Sequence, residues 1–217
     1  MMNTTIRKFV ITSLCIIFCV ISIKETAAQD KPGLFFREDW KEIPAEIPIT
    51  QQHVANPDLT LKTYGPGGDS LKKSHHDHIP DDPWYLWSGN AEGPWAATLK
   101  HQSQNVDLTG NASITWRSRQ SGFHELRIIL KMSNGDWLIS DQSDGAASDW
   151  RVREFILKDI RWRAFDIEDI REGGWVSEPD LSNVEEIGVT DLRRGHSSPS
   201  SSRLDWIEVY GEPVDRP

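Results

Sequence analysis

Residues Ala112–Arg119 read ASITWRSR, and four residues later His124–Met132 read HELRIILKM. Both runs alternate with a period of two, the pattern of strands that bury one face. In the first, Ile114 and Trp116 share a side, while Thr115, Arg117 and Arg119 share the other. In the second, Leu126, Ile128 and Leu130 oppose Arg127, Ile129 and Lys131. If these strands are neighbours, Arg117, Arg119, Arg127 and Lys131 form one cationic patch away from the core. Such a patch is either a solvated face paired with nearby carboxylates or a groove for an anionic ligand.

Working outward, short strand signals recur from WAATLKH at Trp95 to RLDWIEVYG at Arg203. Turn signals separate them, such as LTGN at Leu108, QSGF at Gln120 and SNGD at Ser133. The longest helix-like stretch is only FDIEDIRE at Phe165. The expected fold is therefore all-β, a β-sandwich of the jelly-roll kind. Before Trp95, Pro44, Pro48, Pro57 and Pro66 break up a segment expected to add a strand or two over the core. Trp116, Trp137 and Trp206 share strand faces with aliphatic neighbours and are expected inside.

Residues 1–28 read as a signal peptide: Arg7 and Lys8, an apolar run from Phe9 to Ile23, then Thr26, Ala27 and Ala28. One domain, 29–217, remains, with the periplasm or the exterior as its destination. Both cysteines, Cys15 and Cys19, lie within the signal, which leaves the domain without disulfides or cysteine chemistry. Removing three cations and one carboxylate from totals of 24 and 33 moves the net charge from −9 to −11. That charge argues against nucleic acid or anionic lipid as a partner, and no later segment is apolar enough to insert in a membrane.

The segment KKSHHDHIPDDPWYLWSG, from Lys72 to Gly89, concentrates titratable and aromatic groups in a proline-punctuated loop. His76 and His78, two residues apart, would point the same way on extended chain. They are candidates for acid and base catalysis. With a carboxylate such as Asp81 or Asp82 they are also candidates for a divalent metal ion such as zinc or manganese. The structural alternative is a loop whose histidines pack and whose aspartates start turns. Trp84, Tyr85 and Trp87 follow, and aromatic rings beside Asp, Asn and Arg are what a sugar ring requires.

The stretch from NVDLTGNASITWRSR through DWLISD to EEIGVTDL and SRLDWIEVYG resembles galactose-binding-like jelly rolls, among them carbohydrate-binding modules. The opening GLFFREDW is more loosely similar to the 3-keto-disaccharide hydrolase β-sandwich family. These resemblances imply a carbohydrate ligand, a polysaccharide or oligosaccharide, and no residue is carried over as catalytic. Three readings follow: a carbohydrate-binding protein, a glycan lyase or glycosidase using the His75–His78 loop, and a non-catalytic assembly domain. In the first two, the histidine loop and Arg117 and Arg119 should converge on one concave surface.

Overall fold

The computed structural model describes residues 31–193 and 200–216. The signal peptide expected at residues 1–28 lies outside them. Fifteen strands and three single 3-10 turns make up the regular structure, with no α-helix among the described residues. No helix there is long and apolar enough to cross a membrane.

A six-stranded sheet contains β1 (Leu34–Glu38), β3 (Lys72–Ser74), β4 (Tyr85–Trp87), β7 (Ser113–Ser118), β10 (Arg151–Ile156) and β14 (Arg203–Tyr210). Its order is β10-β7-β14-β4-β3, with β1 also pairing β14. A nine-stranded sheet contains β2 (Leu59–Tyr64), β5 (Trp95–His101), β6 (Gln104–Asp107), β8 (Leu126–Met132) and β9 (Trp137–Asp144). It is completed by β11 (Trp162–Asp166), β12 (Arg171–Val176), β13 (Val184–Asp191) and β15 (Glu212–Asp215). Its main order is β12-β11-β9-β8-β13-β5-β2. All strand pairs are antiparallel, and the two sheets enclose one apolar core, which is the expected sandwich.

The alternation assigns faces correctly within β7 and β8. Ile114 and Trp116 from one sheet meet the core with Leu126, Ile128 and Leu130 from the other, all at 0% exposure. Trp116 packs 4.6 Å from Phe155, and its indole N–H donates to the buried Asp144 at 2.9 Å. The SNGD turn is as expected: Gly135 adopts φ +93°, and its N–H reaches the Met132 carbonyl at 2.9 Å.

What alternation does not reveal is that β7 and β8, consecutive in sequence, lie in opposite sheets. Residues 119–125 cross between layers instead of turning a hairpin. His124 fixes the crossing: its Nδ1 lies 2.6 Å from the buried Asp191, which also accepts the Ser202 hydroxyl at 2.7 Å. The expected four-cation patch is therefore split between two outer faces on opposite sides of the molecule.

Two tryptophans also differ from expectation. In β14 the register shifts between Leu204 and Trp206, so that Leu204 pairs with Ser118 while Trp206 pairs with Arg117. The extra residue, Asp205, turns Trp206 outward and leaves Leu204, Ile207 and Val209 inside. Trp137 pairs with Lys131 and faces outward as well, 5.5 Å edge-on from Tyr64. It joins a second apolar cluster in which Phe165, Ile167 and Ile170 cover Ile129 and Ile139 on the outer face of the large sheet.

Candidate functional site

The histidine loop leaves β3 and returns as β4, so both of its ends are tied to the small sheet. His76 is pinned from one side: its backbone N–H and Nδ1 lie 2.8 and 2.9 Å from Asp82 Oδ2, and the Tyr85 hydroxyl lies 3.2 Å from Nδ1. The His76 side chain keeps 43% of its surface, so Nε2 is the nitrogen left for a ligand. His78 is exposed, with its ring 5.7 Å from that of His76.

The metal set of His76, His78 and Asp81 is not assembled. Asp82, rather than Asp81, reaches His76, while Asp81 occupies an exposed turn at φ +57°. Among the described residues no group of three or more His, Cys, Asp or Glu is placed to hold an ion.

The aromatic candidates separate by what already covers them. Trp84 stacks on His75 at 3.8 Å while the Lys73 ammonium lies 3.4 Å from the same indole. Two groups that close must occupy opposite faces, which leaves no platform for a sugar. Tyr85 is 3% exposed, so it supports His76 rather than stacking on a ligand; burial raises its pKa. Trp87 is half-buried, its N–H bonded to Ser201 Oγ at 2.7 Å. A Cβ on Gly89 would collide with the Trp87 ring at 1.9 Å, so glycine is what lets the backbone lie against that indole.

The four cations divide as the sheets do. Arg127 is buried on the large sheet, its Nε donating to the Ser140 carbonyl at 2.7 Å and its Nη1 to Glu172 at 2.6 Å. Lys131 is shared between Glu185 at 2.9 Å and Glu186 at 3.3 Å. Neither belongs with the histidine loop.

Arg117 does. It pairs with Asp205 at 2.7 Å and lies 5.5 Å from the ring of Trp150, which in turn meets Tyr85 at 5.2 Å. Arg119 is exposed at the end of the same face, its N–H bonded to the carbonyl of Arg203. Arg203 is cross-strand from Trp87 and hydrogen-bonds Tyr85; burial, and then Arg119 nearby, lower its pKa. Burial raises the carboxyl of Asp205, opposed by Arg117.

The result is a continuous band on the outer face of the small sheet: Trp206, Arg117, Trp150, Tyr85, His76. Sequence reasoning found Arg117, Tyr85 and His76 but missed Trp150, Arg203 and Trp206. Trp150 ends the GAASDW loop that follows β9 and has no strand periodicity to mark it, while only the β14 bulge turns Trp206 toward the band.

No family model and no curated protein sequence matches the chain. Among solved structures, the chain is similar in fold to the family 11 carbohydrate-binding module of the cellulosomal cellulase Lic26A-Cel5E of Clostridium thermocellum. The identity is 13%, over 86% of this chain and 99% of that one, with a TM-score of 0.46. It is also similar to the Emp47p carbohydrate recognition domain, at 10% identity over 72% and 90% of the two chains and a TM-score of 0.38. An agarase, AgWH50C, is similar at 12% identity and a TM-score of 0.41, where 80% of this chain corresponds to 25% of the enzyme. With TM-scores below 0.5, these likenesses carry no weight in choosing a ligand.

Proposed function

We propose that the protein is exported and binds carbohydrate, a polysaccharide or oligosaccharide with acidic groups, across the outer face of the six-stranded sheet. The observation that carries this reading is the band in which Arg117 lies between Trp206 and Trp150. Indoles suit the C–H faces of sugar rings, and guanidinium forks suit carboxylates and sulfates. On the outer face of the large sheet, Lys62 and Lys131 are drawn to the buried Glu186, and Phe165, Ile167 and Ile170 cover the sheet, so its centre presents no such alternation.

Affinity electrophoresis through gels containing polygalacturonate, alginate or neutral glucan tests the reading. The expected result is retardation by an acidic polymer that weakens as salt rises. Unchanged mobility in every gel would overturn it.

A second reading, a glycan lyase or glycosidase, is favoured by one arrangement: His76 is held at Nδ1 by Asp82 while Nε2 stays accessible. That is how a general base or acid is oriented. If this reading holds, the parent releases new chain ends from an acidic polymer, and His76→Ala abolishes release while retaining binding. A parent that binds without producing ends excludes it.

A further inference from the structure

A recess of about 490 Å³ lies at the other side of the sandwich from the histidine loop. It opens where the chain leaves β10, at the far edge of the small sheet, and enters the β11–β12 hairpin of the large sheet. The band's Trp150 immediately precedes β10 and the recess begins at Leu157, immediately after it, so the length of β10 separates them. At roughly 3.3 Å per residue that is about 20 Å.

The floor of the recess is the edge of the inter-sheet core: Leu157, Ile160, Trp162 and Leu181, each under 10% exposed. One wall is Trp175, 50% exposed on the edge strand β12. Its indole is held by two guanidinium groups, Arg161 at 4.0 Å and Arg163 at 4.4 Å from the ring centre. Arg163 is itself fixed by Glu172 at 3.3 Å and by the Gly173 carbonyl at 3.2 Å. The ring is therefore positioned before any ligand arrives, which lowers the ordering cost of binding. Lys158 and Arg161 supply positive charge at the rim, and Arg161 makes no ion pair among those described. An apolar floor, a fixed aromatic wall and a few convergent polar groups, in a volume within the usual range of about 300–1,000 Å³, are the features of a small-ligand site.

We propose that this recess is a second carbohydrate site, holding one or two units of an acidic saccharide. The sugar's C–H face would lie on the apolar floor beside the exposed edge of Trp175, whose ring faces Arg161 and Arg163 cover, and its carboxylate or sulfate on Arg161 and Lys158. The inference rests on the carbohydrate reading for its ligand class, and it makes the domain bivalent, with one site near each end of β10.

The test is calorimetric titration of the domain with digalacturonate, too short to bridge the two sites, with cellobiose as the neutral control. The parent should bind two per chain with an affinity that falls as salt rises. Trp175→Ala should bind one, and Arg161→Gln should weaken one class of site about tenfold while leaving the melting temperature unchanged. Because Arg161 is exposed, that variant carries the test even if Trp175→Ala folds poorly. A single site lost in Arg117→Gln and unmoved by both edge variants would overturn this inference and leave the proposed face standing. A single site lost in the edge variants and unmoved by Arg117→Gln would support it and overturn the face. No binding by the parent would overturn both.

Discussion

The two outer faces of this sandwich begin from the same sequence rule and end differently. On the large sheet, Lys62 donates to the fully buried Glu186 at 2.9 Å, Tyr64 and Thr98 donate to it at 3.0 and 2.8 Å, and Lys131 is shared with Glu185. Beside this network, Phe165, Ile167 and Ile170 fold over the sheet. On the small sheet, indoles alternate with guanidinium groups, and the histidine loop stands at its margin. Outward-pointing cations therefore say little until their surroundings are known: one face ties its lysines to a buried carboxylate, and on the other Arg117, paired with Asp205, lies beside exposed indole surface.

The largest expected effect breaks the closed face. Glu186→Ala removes the acceptor for Lys62, Lys131, Tyr64 and Thr98, and losing one partner of a buried ionic network costs about 3 to 5 kcal/mol. Urea unfolding should show that loss; a change below about 1 kcal/mol would mean the network does not hold this face. On the open face, Trp206→Ala removes a half-buried ring lying 4.4 Å from the Arg37 guanidinium, so stability should fall by about 1 kcal/mol. Binding to the acidic polymer should weaken about tenfold in the same variant. A cost of about 3 to 5 kcal/mol, as for a core indole, would instead return Trp206 to the interior.

Those two substitutions show where the sequence was readable. Alternation assigned the faces of β7 and β8 because each strand opposes aliphatic to charged residues. It misplaced Trp137 because Trp137, Leu138 and Ile139 are all apolar, and a face sealed by a distant segment looks like a core face. It misplaced Trp206 because one added residue, Asp205, inverts the rest of the strand. The cationic patch failed for a topological reason: QSGF at Gln120 reads as a turn whether the chain doubles back or crosses to the other sheet. Of the site, Arg117, Arg119, His76 and Trp87 were legible from residue type and loop context. Trp150, Arg203 and the pairing of Asp82 with His76 arise from strand order and loop packing, which carry no local signature.

A pH profile sharpens the contrast further. Lys73 is fully buried against Trp84, and burial lowers its pKa to about 8. Between pH 8 and 10 the unfolded chain carries the proton that the folded chain has released, so this group makes stability rise with pH across that window. Thermal melts should show the rise in the parent and a flatter profile in Lys73→Met. Identical pH profiles for the parent and Lys73→Met would contradict the burial of Lys73.

The small sheet's outer face is the one expected to meet the ligand, and the ten tryptophans provide the readout. Indole N–H signals can be followed by two-dimensional NMR while digalacturonate is added. The expected result is that Trp87, Trp150 and Trp206 move together in a saturable way while Trp137, on the closed face, stays still. Movement of Trp137 with those three unmoved would contradict the assignment of the small sheet as the carbohydrate face.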